Sequence, residues 1–172
     1  MEEPESTSVK RAGPAPRSLQ WLAALSSLAC AFAVAGCEEE ERLSKAQYEQ
    51  KVRSVYGDVQ TAFRAVGADA KTLDDFAAQL GDAQEELREA AEQLEKVEPP
   101  KAVEEENEEL VEGMREYADD LDELREAAEK GNSARVTSLR GETVDSPAIE
   151  QMAEAAEEMM QRGYDLGPLQ AE

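Results

Sequence analysis

Apolar residues recur along this chain in alternating steps of three and four, which is the period of an amphipathic α-helix. Three stretches carry the pattern without interruption, at 44–66, 72–97 and 101–130. Their seam residues are Tyr48, Val52, Val55, Val59, Ala62 and Val66; Leu73, Phe76, Leu80, Ala83, Leu87, Ala90, Leu94 and Val97; and Val103, Asn107, Leu110, Met114, Tyr117, Leu121, Leu124 and Ala128. The pattern predicts three long helices that pack through these faces.

Residues at the ends of the stretches indicate the same boundaries. Ser44 and Thr72 each precede, by three residues, a Gln or Asp that completes a capping box. Pro99 and Pro100 end the second stretch, because proline cannot continue a helix but fits the first turn of the next one. Gly131 follows the third stretch, where glycine commonly ends a helix.

The pattern after Gly131 is less regular. Ser133 is predicted to cap a short helix that carries Val136 and Leu139 and loses its pattern near Gly141. Ser146 and Pro147 then read as an N-cap and a first helical residue. The seam resumes at Ile149, Met152, Ala156, Met159 and Gly163. We therefore expect the fourth helix to be broken near Gly141.

Short connections between long helices favour antiparallel neighbours. The sequence predicts an all-α, up-down-up-down helical bundle at 44–166, with three long helices and a broken fourth, followed by a tail at 167–172. A three-helix bundle with a loosely docked end is one alternative. A long dimeric coiled coil is another, which the short breaks at 67–71, 98–100 and 131–132 disfavour.

The segment before the helices has the pattern of a secretory signal peptide. Lys10, Arg11 and Arg17 precede a largely apolar run at 19–34, which ends in small residues. Polar residues interrupt this run, and it is shorter than the roughly 20 apolar residues of a membrane span. We predict that residues 1–36 are a cleaved signal peptide.

The run ends in Val34, Ala35, Gly36 and Cys37, which resemble the bacterial lipobox. The resemblance implies that a diacylglycerol is attached to the Cys37 sulfur, and that a signal peptidase cuts between Gly36 and Cys37. Acyl chains such as palmitate would then anchor the protein to the extracytoplasmic face of the cell membrane. Residues 37–43 are predicted to be the lipidated cysteine and an acidic spacer. The alternative is an uncleaved N-terminal anchor in which Cys37 is an ordinary thiol.

The 172-residue chain has a formal net charge of −22. Segment 1–36 contains three basic and three acidic residues, so the remainder keeps 15 of the 18 basic and 37 of the 40 acidic residues. This charge argues against nucleic acid, which binds through Lys and Arg, and against anionic lipid headgroups. It favours cationic partners or loosely held cations, although a solvated surface has the same composition.

The chain contains no histidine, and its only other cysteine, Cys30, lies within the predicted signal peptide. The commonest general base and the commonest transition-metal ligand are therefore missing. No disulfide is expected in the mature part. We predict a protein that is not an enzyme and has no catalytic residue, metal site or cofactor.

Several residues are candidate ligands for a metal ion or a small molecule. Two carboxylate groups lie along the third helix: Glu104, Glu108 and Glu112, and then Asp119, Asp120, Asp122 and Glu123. Ca²⁺ takes six to eight oxygens, but no calcium-binding loop is present, so we interpret both groups as solvated, with weak cation binding as the alternative. Met152, Met159 and Met160 are interpreted as core residues. Asn107, polar in an apolar seam, is interpreted as fixing helix register or as partly exposed, with a polar pocket as the alternative.

The mature part resembles a loose group of small helical lipoproteins from actinobacteria, for which no activity is established. The resemblance lies at 43–48, 94–100, 108–114 and 163–167. These observations predict a membrane-anchored extracytoplasmic lipoprotein that acts as a non-enzymatic interaction or scaffold module of the cell envelope, with an envelope protein as its partner. The alternative is a binding protein for cations or cationic small molecules, which would use the acidic helix faces.

Overall fold

The computed structural model describes residues 42–167, and this part of the chain is all-helical. Its elements are α1 (Lys45–Ala65), α2 (Leu73–Glu95), a 3-10 turn (Lys101–Val103), α3 (Glu104–Glu129), α4 (Ser133–Val144) and α5 (Pro147–Gln161). Helix α3 packs against α2, α4 and α5, while α2 also packs against α1. The predicted all-α class is confirmed for these residues. None of their helices has the length and hydrophobicity that a membrane span requires.

Both predicted capping boxes are present. The Gln47 N–H donates to the Ser44 hydroxyl at 3.4 Å, and the Ser44 N–H donates to Gln47 Oε1 at 3.0 Å. At the start of α2, the Asp75 N–H donates to Thr72 Oγ1 at 3.0 Å, and the Thr72 N–H donates to Asp75 Oδ2 at 3.1 Å. Each box satisfies two backbone donors that a helix start would otherwise leave unpaired, and so fixes where α1 and α2 begin.

The start of α4 differs from the prediction by one residue. Asn132, and not Ser133, is the N-cap, because its Oδ1 accepts a hydrogen bond of 3.1 Å from the Arg135 N–H. Asn and Ser are both strong N-cap residues, and here they stand next to each other.

The break in the fourth helix also differs from its predicted position. Helix α4 continues through Gly141 to Val144, and the break falls at Asp145–Ser146. An internal glycine costs only about 1 kcal/mol, which packing overcomes. Pro147 cannot continue a helix, and the Ser146 hydroxyl caps the next one by accepting from the Ala148 N–H at 3.1 Å. Proline therefore decides the position of the break.

The core consists mainly of residues from the apolar seams that the sequence predicts. Fully buried members include Tyr48, Val52, Val55, Leu80, Leu87, Leu94, Leu110, Met114, Leu121, Leu124 and Met159. Other predicted seam residues are only half-buried, among them Val59, Val66, Val97 and Tyr117. The second half of α1 is thus covered less completely than its first half.

Hydrogen bonds join the long helices to one another. The Lys51 ammonium on α1 donates to Gln93 Oε1 on α2 at 2.7 Å. The Gln84 amide on α2 donates to the Ala118 carbonyl on α3 at 2.7 Å. The Gln151 amide on α5 donates to the Glu109 carbonyl on α3 at 3.3 Å. These contacts tie α1, α2, α3 and α5 into one packed body.

Candidate functional site

The predicted lipobox, at Val34, Ala35, Gly36 and Cys37, lies outside the described residues, as do the rest of the spacer up to Glu41 and the tail from Pro168. Lipidation of Cys37 therefore stays a prediction.

The described chain starts with a docked residue. The Arg42 guanidinium donates to the Pro99 carbonyl at 2.8 Å and to Glu104 Oε1 at 3.1 Å. The Leu43 N–H donates to the Glu98 carbonyl at 2.8 Å. The chain is therefore fixed to the end of the molecule formed by the start of α1, residues 96–103 and the end of α5, which we name the Arg42 end.

A buried polar pair lies inside the Arg42 end. The Tyr48 hydroxyl donates to Asn107 Oδ1 at 2.9 Å and lies 3.8 Å from Met159 Sδ. The Asn107 amide donates to the Leu94 carbonyl at 3.5 Å. Asn107 is only 4% exposed, so the interpretation of Asn107 as a partly exposed residue is wrong. Its contacts join α1, α2 and α3. It therefore occupies a position that fixes how these helices align.

Glu106 is a buried charged residue that the sequence reasoning missed. It is 1% exposed, and its Oε1 pairs with the Arg162 guanidinium from the end of α5. Its other carboxylate oxygen, Oε2, is buried without a hydrogen-bond partner. Arg162 also donates to the Ala102 carbonyl and lies 3.6 Å from Glu158. A half-exposed arginine thus neutralises a carboxylate inside the bundle.

Two tyrosines share this environment. Burial, reinforced by Tyr164 and Glu106, raises the pKa of Tyr48 far above its usual value of 10. Burial, followed by the charge of Glu49, also raises the pKa of Tyr164. Both phenols therefore stay protonated at neutral pH, and Tyr48 acts as a donor. A neutral hydrogen-bond donor suits structure or recognition better than proton transfer near pH 7.

Residues 163–167 form a short segment that we name the strap. Gly163, with φ of 85°, ends α5; its N–H donates to the Met160 carbonyl and the Tyr164 N–H to the Met159 carbonyl. This Schellman arrangement needs a left-handed residue, which glycine supplies without strain. Leu166 is only 1% exposed. The predicted glycine stop is present, and the chain beyond it packs closely against the helices.

Carboxylates line the junction of α3 and α5, which we name the acidic seam. Its members are Glu105, Glu109, Glu116 and Asp120 of α3, and Glu154 and Glu158 of α5. Partial burial, and then the charges of Glu105, Glu158, Glu106 and Glu154, raise the pKa of Glu109. At the far end of the seam, a shallow groove of about 300 Å³ is lined by Glu116, Asp119, Asp120, Pro147 and Ala148. The acidic seam thus consists of one carboxylate group around Glu109 and a second around the groove.

Few basic residues reach the acidic seam. Within residues 42–167, Glu158 pairs with Arg162, whereas Glu105, Glu109, Glu116, Asp120 and Glu154 form no ion pair. The negative charge of the acidic seam is therefore mostly unbalanced.

The carboxylates that the sequence suggests as cation ligands form ion pairs, accept a hydrogen bond or are exposed. Glu104 pairs with Arg42, Asp122 with Arg125 at 3.2 Å and Glu123 with Arg135 at 2.5 Å. Glu108 and Glu112 are exposed, and Ser146 donates to Asp120 at 2.5 Å. In the described part of the chain, no group of three or more His, Cys, Asp or Glu side chains has an arrangement that could hold a metal ion.

The three methionines lie in or against the core. Met159 is fully buried, while Met152 and Met160 are partly buried and pack on the core. Their interpretation as core residues is confirmed.

Comparisons of the chain with models of known protein families, with curated proteins and with solved structures found no match.

Proposed function

We propose that this protein is a lipid-anchored module of the cell envelope that binds a basic segment of another envelope protein through the acidic seam. The observation that carries the proposal is that Glu105, Glu109 and Glu154 lie near one another without an ion pair. Partial burial, and then the charges of the nearby carboxylates, raise the pKa of Glu109. A Lys or Arg placed among these side chains would relieve their mutual repulsion. Such a surface also speeds the encounter with a cationic partner, in a salt-dependent way.

The proposal includes an up-down-up-down bundle of α1, α2, α3 and α5, with α4 as a short element before the last helix. Pairs of contacts in which the residue numbers rise along one helix and fall along the next support this order. Between α1 and α2 they are Lys51 with Gln93 and Gly67 with Gln79; between α2 and α3, Gln84 with Asp122 and Glu95 with Arg115; and between α3 and α5, Asp120 with Ser146 and Glu106 with Arg162. In this arrangement the acidic seam runs along one side of the bundle, parallel to its long axis.

The anchor would place the Arg42 end next to the membrane. About five residues join Cys37 to the docked Arg42, and they reach at most about 18 Å when fully extended. Residues 38–41 are all glutamate, which anionic headgroups repel. This geometry predicts that the bundle stands close to the membrane without adhering to it. The acidic seam would begin near the membrane at Glu105 and extend away from it along the side of the bundle.

Photo-crosslinking in cells tests the partner. A photoreactive amino acid would replace the exposed Glu112, beside the acidic seam, or, as a control, the exposed Glu89 on α2. We expect a discrete protein adduct from position 112 that weakens at high salt and disappears in the Glu109→Gln/Glu154→Gln variant. Identical adducts from both positions, or an adduct at 112 that ignores the double substitution, would contradict the proposal.

Binding of cations or cationic small molecules is the second candidate, which the carboxylates of the acidic seam that form no ion pair also favour. It predicts saturable, stoichiometric heat release when a divalent or polyamine cation is titrated into the protein. Salt effects that follow ionic strength alone, whatever the cation, would contradict it, because screening needs no site.

A non-enzymatic role is supported by the complete lack of histidine in the chain.

A further inference from the structure

The strap lies on one face of α1, which we name the seat: Lys45, Tyr48, Glu49 and Arg53. These residues are spaced by one, three or four along the helix and so share a face. The strap follows the last helix and forms no helix or strand of its own. It is held in place by its contacts with the seat.

Polar side chains of the seat bind the backbone of the strap. The Lys45 ammonium donates to the Gly163 carbonyl at 2.5 Å, and the Arg53 guanidinium donates to the Asp165 carbonyl at 2.7 Å. Glu49 Oε1 accepts from the Asp165 N–H at 2.9 Å. Contacts of this kind recognise an extended peptide without reading its sequence, as in other peptide-binding surfaces.

Two strap side chains, two residues apart, supply the specific contacts. The Tyr164 ring packs edge-on against Tyr48, with 6.1 Å between ring centroids, and Lys45 lies 5.1 Å above it. Leu166 is 1% exposed, whereas the intervening Asp165 side chain is 78% exposed. The strap therefore buries an aromatic and an aliphatic side chain on either side of one solvent-facing residue, whose carboxylate lies 3.3 Å from the Arg53 guanidinium.

One buried polar atom near the strap is unsatisfied. Arg162, directly before the strap, pairs with the buried Glu106, yet Glu106 Oε2 stays buried without a partner. A buried, unsatisfied acceptor costs free energy that hydration would recover. The hydrogen bonds between the strap and the seat all lie at the exposed surface. Segments held by solvent-exposed hydrogen bonds are those that open locally.

We propose that the strap is a releasable internal ligand, and that the seat binds an extended peptide of the same chemistry, aromatic-x-aliphatic, when the strap leaves. The partner segment is thus defined by a Tyr or Phe followed two residues later by Leu or a similar residue. The inference does not depend on the acidic seam or on lipidation, because it is argued from contacts between the strap and α1.

A peptide titration on the full chain tests the proposal. The substitutions Tyr164→Ala/Leu166→Ala weaken the docking of the strap. The probe is a fluorescent peptide, Arg-Gly-Tyr-Asp-Leu-Gly, which contains Arg162 and the strap. We expect saturable binding to the variant and binding about tenfold or more weaker to the wild-type chain, because the strap competes for the seat. A control peptide with Ala in place of Tyr and Leu should not bind, and adding Lys45→Ala/Arg53→Ala to the variant should weaken binding several-fold. Equal binding to wild type and variant, or none to a variant with unchanged helical circular dichroism, overturns the proposal.

Hydrogen exchange on the wild-type chain keeps the test decisive if that variant does not fold. We expect the amides of Tyr164 and Asp165 to exchange about 100-fold or more faster than those of Leu87 and Leu110 in the core, yet more slowly than in the free peptide. Exchange at the core rate would mean that the strap leaves only on global unfolding. Exchange at the free-peptide rate would mean that it does not dock. Either result overturns the proposal.

Discussion

Tyr48 on α1 donates a hydrogen bond of 2.9 Å to Asn107 on α3, and both side chains are almost completely buried. Tyr48→Phe removes the donor and leaves Asn107 Oδ1 buried without a partner. We expect a loss of about 1–3 kcal/mol in the free energy of unfolding, measured by urea denaturation.

The double variant Tyr48→Phe/Asn107→Leu provides the control. Because it removes both partners, it should lose less stability than the sum of the two single variants. Unchanged stability of Tyr48→Phe, or strict additivity in the cycle, would show that this hydrogen bond does not hold the two helices in register.

Gly113 marks the closest approach of α3 and α5. A methyl group at this position would lie 2.6 Å from Met152 Cγ and 3.2 Å from the Ala148 carbonyl oxygen. Met152 can move, but the carbonyl belongs to the α5 backbone, so we expect Gly113→Ala to destabilise the fold by about 1–3 kcal/mol. The matched control is Gly57→Ala on α1, where the methyl group would meet nothing within 4 Å. That variant should gain about 0.5–1 kcal/mol from helix propensity, and equal effects of the two substitutions would contradict the close packing.

Arg162 neutralises the buried Glu106, so its removal should matter more than removal of a surface arginine. Arg162→Ala leaves a carboxylate inside the bundle without its cation, and we expect a loss of about 1–3 kcal/mol, reduced by the 44% exposure of the arginine. Arg88→Ala breaks the exposed pair with Asp119 and should cost at most about 1 kcal/mol. Adding Glu106→Gln to Arg162→Ala should restore part of the loss. Equal effects of both arginine substitutions in denaturation curves would rule out the buried pair.

Stability should reach its maximum at mildly acidic pH. The folded pKa of Glu109 lies above its ordinary 4.5, so its contribution is complete below 4.5 and is lost as the pH rises through the raised value. The folded pKa values of Asp75 and Asp122 lie below 3.8, mainly because of hydrogen bonds from Thr72 and Gln84, so their contributions are lost only as the pH falls through those values.

Thermal unfolding measures this profile directly. Since the chain has no histidine, carboxylates are the side chains that titrate between about pH 3 and 7. We expect Tm to rise as the pH falls from about 7.5 to about 5, and to fall again below about 3.5. Glu109→Gln should flatten the rise. A Tm that decreases steadily from neutral pH downwards would show that charge repulsion along the acidic seam has no energetic weight.

Local chemistry explains which structural features the sequence predicts. The caps at Ser44 and Thr72 depend on residues three positions away, so each helix start can be inferred without knowing the fold. The break at Pro147 differs from its expected place because glycine only weakens a helix, whereas proline removes a hydrogen bond.

The buried charge and the strap depend on distant contacts. Glu106 stands in a run of glutamates with the same composition, and only the packing of α5 buries this one. Its spacing of four from Leu110 and seven from Gly113 is the one signal in the sequence. Leu166 follows a helix stop, and nothing local indicates that it is buried in the core.

The central claim is that lipid on Cys37 holds this bundle at the membrane, with the acidic seam facing a protein partner. Fractionation of cells that express the wild-type chain or Cys37→Ala tests it most directly, with mass spectrometry of the mature N-terminus. We expect wild type in the membrane fraction, with an acylated cysteine as its first residue, and Cys37→Ala not to be retained there as a mature form. A Cys37→Ala variant that is still processed and still sediments with membranes would contradict the account.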